Sequence, residues 1–168
     1  MAIDLCGPIL ANTTYLDESI NPVAEDVIFT LPDVAFIMSE YNATGKISLP
    51  NPLVEAMESS ITKIGLDKGF LKLIAFESKT IEHRFVQNIL KTDGSTKPVG
   101  CKAFLRGVPQ NIPGGSVEVG SQFEGEIKFS ITRYQLFVDG TEHTLVDQLN
   151  RKIVIDGVDY TKEIRNLL

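Results

Sequence analysis

The chain has few of the residues from which active sites, metal sites and disulfide frameworks are built. Its 168 residues include two cysteines, two histidines and no tryptophan. Cys6 and Cys101 lie far apart without a CxxC spacing, which predicts two separate reduced thiols. No segment approaches a run of about eighteen apolar residues, so the sequence predicts no membrane span and no membrane anchor.

The N-terminus and the charge balance exclude further classes of protein. Residues 1–10 have no basic segment ahead of a short apolar run, so we expect no secretory signal and folding in a cytosol. Acidic residues outnumber basic residues by 22 to 16, which gives a formal net charge of -6 and a pI near 4.9. Proteins that grip nucleic acid usually present a basic face, so this balance argues against that function.

Motifs that carry catalytic or ligand chemistry are also missing. His83 and His143 have no HxH or HxxxH partner, so we interpret both as structural residues. Glu124 and Glu126 stand two apart, on one face of a predicted strand, where a carboxylate pair can in principle serve acid–base chemistry. Lys128 continues that face without any implied pocket, which favours a solvated polar surface and no enzyme, cofactor or metal site.

The N-terminal third shows little regular patterning. Residues 1–25 are predicted to be irregular, whereas residues 26–40 alternate between polar and apolar side chains as a strand does. Pro32 within the alternating segment indicates a bend or an edge strand. Residues 41–52 contain one glycine and two prolines and have no clear period, so we predict a long inter-strand loop there. Such loops in compact domains are uncommon and usually functional.

Residues 53–64 fit two structures. As a helix they would gather one apolar stripe: Leu53, Met57, Ile61 and Ile64. As a strand they would bury Met57, Ser59 and Ile61 and expose Glu58, Ser60 and Thr62. The pattern by itself leaves both open. Residues 65–76 fit a helix better, because Asp67 can lie at its N-terminus and apolar residues follow at helical spacing.

The C-terminal half has the clearest strand signals. Residues 81–91 and 98–108 flank Asp93-Gly94 and predict a β-hairpin. From Phe123 to Val138 runs the cleanest alternation in the chain, and an Asp139-Gly140 turn follows it.

The chain closes with short predicted strands, a turn at Asp156-Gly157 and a helix over residues 159–168. Together the patterns predict a single domain, residues 1–168, that is mainly β. We expect an antiparallel sandwich or barrel of two sheets with one or two short flanking α-helices.

Several segments, taken in order, resemble the major tail tube proteins of contractile phage tails and R-type pyocins. Residues 30–34 (TLPDV) are similar to that family's TLPxL segment, and residues 40–43 (EYNA) to its EYxA segment. Residues 155–159 (IDGVD) and 163–165 (EIR) resemble its NGVD…IR ending. Each match alone is weak, but their order from Val27 to Leu168 is fairly specific.

The resemblance also has departures and consequences. Residues 14–18 lack the glycine that often ends the family's first strand, and Thr44-Gly45 stands where the family often has two glycines. Residues 54–62 resemble the family's next strand, which favours the strand interpretation of residues 53–64.

The resemblance implies a structural subunit of the inner tube of a contractile tail. Such subunits close into hexameric rings that stack into a hollow conduit for DNA ejection or membrane puncture. The partners implied are other copies, the tail sheath protein, the baseplate hub or initiator, the tail terminator and the tape measure protein. DNA would be met only in transit. The location implied is a virion tail or tailocin particle, assembled in the cytoplasm of the bacterial host.

Two sets of residues are expected to carry this function. The polar faces of two long strands are predicted to line the lumen, where acidic side chains would repel phosphate. They are Glu58, Ser60, Thr62, Glu124, Glu126, Lys128 and Ser130. The predicted loop is expected to contact the next ring, through Tyr41, Asn42, Thr44, Gly45 and Lys46.

Three other functions compete with this one. A hydrolase or isomerase on a β scaffold would need a convergent His, Asp or Cys constellation, which the sequence does not supply. A secretion-system tube protein would share the same ring geometry. A monomeric β-barrel that holds a small ligand would need an apolar interior cavity, with the predicted loop as its lid.

Overall fold

The computed structural model describes residues 5–168, and most of them lie in antiparallel strands. The strands are β1 (Leu5–Leu16), β2 (Ala24–Glu25), β3 (Ile28–Thr30), β4 (Phe36–Asn42), β5 (Lys46–Val54), β6 (Met57–Ile64), β7 (Lys79–Leu90), β8 (Thr96–Pro109), β9 (Glu124–Val138), β10 (Thr141–Asp147), β11 (Lys152–Ile155) and β12 (Val158–Asp159). The helices are α1 (Lys68–Leu71), which a 3-10 turn over Lys72–Ile74 continues, and α2 (Lys162–Asn166). The strands form one large sheet and a separate β4–β5 sheet, which confirms the predicted fold class.

The large sheet curls until its two ends meet. Neighbouring strands run in the order β1, β7, β8, β9 and β6, each pair antiparallel. The circuit is closed by residues 24–30, where β2 pairs with β1 and β3 pairs with β6. The Asn12 side chain of β1 holds Val27, which lies between the two short strands, because its Oδ1 accepts from Val27 N at 3.0 Å and its Nδ2 donates to Val27 O at 2.9 Å. The result is a small barrel in which every strand of the circuit is hydrogen-bonded to at least one neighbour.

Alternating side chains fill the barrel. Ile61, Phe129 and Leu105 project inward from three adjacent strands and are essentially inaccessible to solvent. At one end Phe70 and Leu73 pack into the same core from α1 and its 3-10 turn. Asp67 caps α1 as predicted, since its side chain accepts from Phe70 N at 2.7 Å. The predicted helix over residues 65–76 is thus reduced to about two turns.

A β-bulge divides β9 into two parts. Up to Ile131 its odd-numbered residues point into the barrel, and the register against β8 then shifts at Thr132. Beyond the shift the parity is reversed, so that Tyr134 is buried and Arg133 lies on the outer face. The first part of β9 pairs with β6 and the second with β10, which carries β11 and β12 with it.

The predicted hairpins and turns of the C-terminal half are confirmed. Strands β7 and β8 pair on either side of Asp93-Gly94. Both residues of Asp139-Gly140 and of Asp156-Gly157 have positive φ, as a tight hairpin turn requires. The closing helix is shorter than predicted, because Val158 and Asp159 form β12 and only Lys162–Asn166 is helical.

The prediction that residues 1–25 are irregular is wrong for the described part of that range. Leu5–Leu16 form a twelve-residue strand, and residues 1–4 lie outside the described part of the chain. The alternation is hidden because the pairing with β7 shifts between Cys6 and Ile9 and again between Ile9 and Ala11. Each shift moves the following side chains to the other face, so no single period survives.

Candidate functional site

The polar residues that were predicted to share one surface do share it. β6 and β9 pair antiparallel in a register that sets Glu58 opposite Ser130, Ser60 opposite Lys128 and Thr62 opposite Glu126. Their side chains point away from the barrel, while the residues between them fill the core. Glu124 continues the row at the start of β9. We call this surface of seven residues the acidic face, since it has three carboxylates and one ammonium group.

Sequence reasoning missed the residues that hold the rim of the acidic face. Gln110 donates from its side chain to Glu58 Oε1 at 3.2 Å and to Ser130 Oγ at 2.9 Å. Asn111 imitates a neighbouring strand, because its amide accepts from Lys128 N at 2.8 Å and donates to Glu126 O at 2.9 Å. These contacts cover the edge of β9 where β8 has ended. The signal in the sequence was the pair of adjacent amide residues, Gln110 and Asn111, shortly after the predicted strand over residues 98–108.

Beyond the bulge, the charge on the outer face of the same sheet changes from negative to positive. The side chains on this surface come from three strands: Arg84, Lys102, Phe104, Arg106, Arg133 and Phe137. Arg84 is paired with Glu82 at 2.5 Å, and Phe104 meets Phe137 edge-on at a ring-centroid distance of 5.6 Å. The outside of the barrel therefore has an acidic end at β6 and a more basic end at β7 and β8.

The prediction of a long loop over residues 41–52 is wrong, because most of this segment lies in the two strands of a hairpin. Tyr41 and Asn42 end β4, Thr44 and Gly45 form a turn, and Lys46 begins β5, so the five predicted stacking residues lie at the tip of a β-hairpin. We call Phe36–Val54 the arm. Pro50 lies opposite Met38 in this hairpin. Prolines are tolerated because β5 is an edge strand, whose outward N–H groups need no partner.

The arm is amphipathic, although it projects from the body of the protein. Tyr41 lies opposite Ile47 and Ser39 opposite Leu49, so the three large side chains share one face. All three are about half exposed, and Ile37 and Leu53 extend the same apolar face toward the barrel. The opposite face presents Glu40, Asn42, Lys46 and Ser48 toward the tip, and the exposed Met38 and Pro50 nearer the barrel. An apolar face of this extent on a projecting hairpin indicates a contact with another chain.

The histidines and cysteines show no arrangement typical of a catalytic or metal site in the described part of the chain. His83 is buried in the barrel, where it stacks on Phe29 at 3.9 Å and shares a 2.8 Å hydrogen bond with Thr14 Oγ1. Burial lowers the pKa of His83 to about 4, so the ring is neutral at pH 7. Cys6 is exposed, Cys101 is buried and both are free. Within residues 5–168 no group of three or more acidic, histidine or cysteine side chains is arranged to hold a metal ion.

The barrel interior also bears on the alternative of a ligand-binding barrel. That alternative needs an internal cavity, whereas Met57, Ile61, Phe129 and Leu105 fill the space between the strands. No helix within residues 5–168 is long and apolar enough to cross a membrane. A filled barrel, a polar outer face and an arm with an apolar side define a structural subunit that works through contacts with other chains.

Comparison with known proteins agrees with this class. The family model described as phage tail tube protein FII matches residues 9–168, and the chain belongs to that family of structural tail tube proteins. A solved structure with a similar fold is described as the sheath–tube complex of an extracellular contractile injection system, PVC, in the extended state. Its matched chain has a TM-score of 0.57 and 14% sequence identity, over 78% of this chain and 90% of that one. No curated protein matches the sequence.

Proposed function

We propose that copies of this chain close into hexameric rings and that the rings stack into the hollow inner tube of a contractile tail. The observation that carries the proposal is the arm, because it projects a half-exposed apolar face that no part of residues 5–168 covers. A head-to-tail contact closes into a ring when its rotation allows, and stacking then produces an open polymer.

The free edge of β1 supports an assembled state. Among the described residues, this strand pairs only with β7 from Leu5 to Ala11, since its contacts with residues 24–27 begin at Asn12. Leu5, Ile9 and Leu10 are exposed along the same stretch. A long free edge with apolar side chains is an aggregation site unless another chain covers it. A neighbouring subunit in a ring would cover it.

The acidic face is the surface we assign to the lumen. Its three carboxylates and single ammonium group give a net charge of -2 for each copy, repeated around every ring. A lumen of that sign repels the phosphates of passing DNA and keeps the strand from sticking. Hydroxyl groups of Ser60, Thr62 and Ser130 keep the wall wet without adding charge.

The arm tip is the part we assign to ring stacking, through Tyr41, Asn42, Thr44, Gly45 and Lys46. A two-stranded arm reaches farther and bends less than a loop of the same length, so it suits a contact between rings. The apolar face behind the tip would be buried against the neighbouring ring.

The partners follow from the same proposal. The tube would lie inside a sheath, start from a baseplate hub or initiator and end at a tail terminator, with a tape measure protein setting its length. The solved complex contains both sheath and tube, which supports a sheath partner. The particle is a phage tail or a headless tailocin, assembled in the host cytoplasm, and the chain has no enzymatic role.

Electron microscopy tests the proposal directly. The purified protein, examined by negative staining over a range of concentrations and with a baseplate initiator added, should form rings or tubes with a stain-filled channel. The Leu49→Asp variant should remain monomeric by light scattering, because a charge is placed on the apolar face of the arm. A wild-type protein that stays monomeric under every condition contradicts the proposal.

Charge reversal tests the assignment of the lumen. Glu124→Lys combined with Glu126→Lys should leave tubes intact, since both side chains are exposed on the acidic face. DNA ejection from particles that carry the variant should slow, because phosphate is attracted to the wall. A loss of assembly would instead assign this face to an interface between subunits.

A further inference from the structure

The loop between β8 and β9 ends in an exposed apolar tip. Residues 110–123 connect the two strands, and Ser121 N donates to Glu118 O at 3.2 Å to close a turn at residues 118–121. Gly120 has a φ of +89°, as the third position of such a turn requires. Val117 is 94% exposed and Val119, in the turn itself, is fully exposed. We call Ser116–Gly120 the loop tip.

The loop tip also presents an unpaired charge. Glu118 lies between the two valines and forms no ion pair among the described residues of the chain. The tip is held out from the body, because Asn111 bonds to β9 and Gly115 packs on Phe123. Two β-branched apolar side chains on either side of a carboxylate form a compact knob.

A groove of matching character lies elsewhere on the molecule. It has a volume of about 330 Å³ and runs between the base of the arm and the C-terminal strands and helix. Its apolar lining includes Ile37, Leu53, Ile153 and Ile164. Arg151 and Lys152 contribute its cations, and neither forms an ion pair within residues 5–168.

The one carboxylate that lines the groove is already engaged. Asp147 accepts from Asn150 Nδ2 at 2.7 Å and lies 3.8 Å from Arg133. The uncompensated charge of the groove is therefore positive. An apolar cleft with two free cations is complementary to an apolar knob with one free carboxylate.

The knob cannot reach the groove of its own chain. The loop packs at the start of β9, where Pro113 lies against Gly125, whereas Val146 of the groove pairs with Tyr134. Nine residues of an extended strand separate Gly125 from Tyr134, which is about 30 Å. A knob at one end of a subunit and its groove toward the other form a head-to-tail contact, which repeats from copy to copy.

We infer that the loop tip of one copy occupies the groove at the base of the arm of the next copy, with Glu118 facing Arg151 and Lys152. This contact deepens the proposed function and rests on it, because it specifies which surfaces join successive copies of the tube. Val117 and Val119 lie against the apolar lining, and the arm of the receiving copy forms one wall of the site.

Disulfide trapping tests the contact. Val119→Cys and Leu53→Cys are combined in a Cys6→Ser background, and the protein is oxidised mildly before a non-reducing gel. We expect a ladder of cross-linked copies. The matched control is Ile20→Cys with Leu53→Cys, since Ile20 is also 94% exposed and belongs to neither surface. It should give at most a trace of dimer.

The outcomes separate the contact from the proposed function. Tubes without a ladder overturn the contact and leave the tube function standing, whereas cross-linked pairs without tubes support the contact and not the tube. Absence of both overturns both. As a second measurement, Glu118→Lys should raise the concentration needed for assembly roughly tenfold, and adding Lys152→Glu should restore most of the loss. No change in either variant contradicts the charge pairing.

Discussion

The barrel and the arm are both antiparallel β-structure, yet they bury their apolar residues in opposite ways. Leu105 in the barrel is 1% exposed, whereas Leu49 in the arm is 52% exposed. The barrel closes its circuit through residues 24–30, so its core side chains are enclosed by strands on all sides. The arm is two strands wide, and a pair of strands can cover neither face without help. The barrel is thus complete within one chain, whereas the arm leaves an apolar face exposed, which a neighbouring copy would cover in the proposed tube.

The largest expected effect comes from a matched pair of leucines. Leu105→Ala should lower the free energy of unfolding by about 2–5 kcal/mol, because it leaves a cavity in a filled core. Leu49→Ala should change it by less than about 0.5 kcal/mol, since that side chain is half exposed. Urea unfolding of both variants measures this difference. Equal losses would show that the arm is part of the folded core.

Acid should weaken the barrel through His83. Its pKa is about 4 in the folded protein and about 6.5 in an unfolded chain, so the unfolded state takes up the proton first as the pH falls. The contribution of the neutral ring is complete above pH 6.5 and is lost between pH 6.5 and 4, up to roughly 3 kcal/mol.

His83→Gln supplies the control for that titration. The amide can still pair with Thr14 but has no proton to gain, so unfolding free energies measured from pH 7 to 4.5 should fall less steeply than in the wild type. All other side chains are common to both proteins, so their effects cancel in the comparison. Parallel curves for the two proteins would exclude His83 as the titrating group.

Two glycines sharpen the comparison further. A Cβ at Gly107 would lie 2.6 Å from Ser130 O and 2.8 Å from Ile131 Cδ1, beside the β9 bulge. Gly107→Ala should therefore cost about 1–3 kcal/mol in thermal or urea unfolding. Gly45→Ala meets no atom within 4 Å but strains a residue with a φ of +145° at the arm tip. Its effect should stay in the arm, and a comparable fall in global stability would contradict that separation.

The smallest effect should come from the hydrogen bonds that tether the arm to the body. Gln148 Nε2 donates to Val54 O at 3.1 Å and to Glu55 O at 3.3 Å. Gln148→Ala should speed amide hydrogen exchange in β4 and β5 several-fold, consistent with roughly 0.5–1.5 kcal/mol for such a bond. Gln135→Ala, which removes a bond to Glu142 on the body, is the control. Unchanged exchange in the arm would show that other contacts hold it.

The β9 half of the acidic face was predictable from its alternation and the β6 half only with the help of the family resemblance, whereas the arm was not predicted. The face depends on a period of two over β6 and on the first part of β9, where no bulge interrupts the alternation. Residues 41–52 of the arm were predicted as a loop because Pro50 and Pro52 usually break a strand, and only the edge position of β5 makes them acceptable. The bulge at Thr132 was equally hidden, since a change of parity cannot be seen without the partner strand.

The sequence by itself determined the local elements of this protein. Turn signals such as Asp-Gly and the alternation of apolar and polar residues specify local strands and hairpins without reference to distant residues, so β7 to β11 could be predicted. Only the tertiary structure decided how β1 pairs, where the barrel closes and that the arm is a hairpin. These depend on hydrogen bonds between segments far apart in the chain, such as Asn12 with Val27 and Thr14 with His83. The residue pattern of one segment does not specify which other strand that segment will pair with.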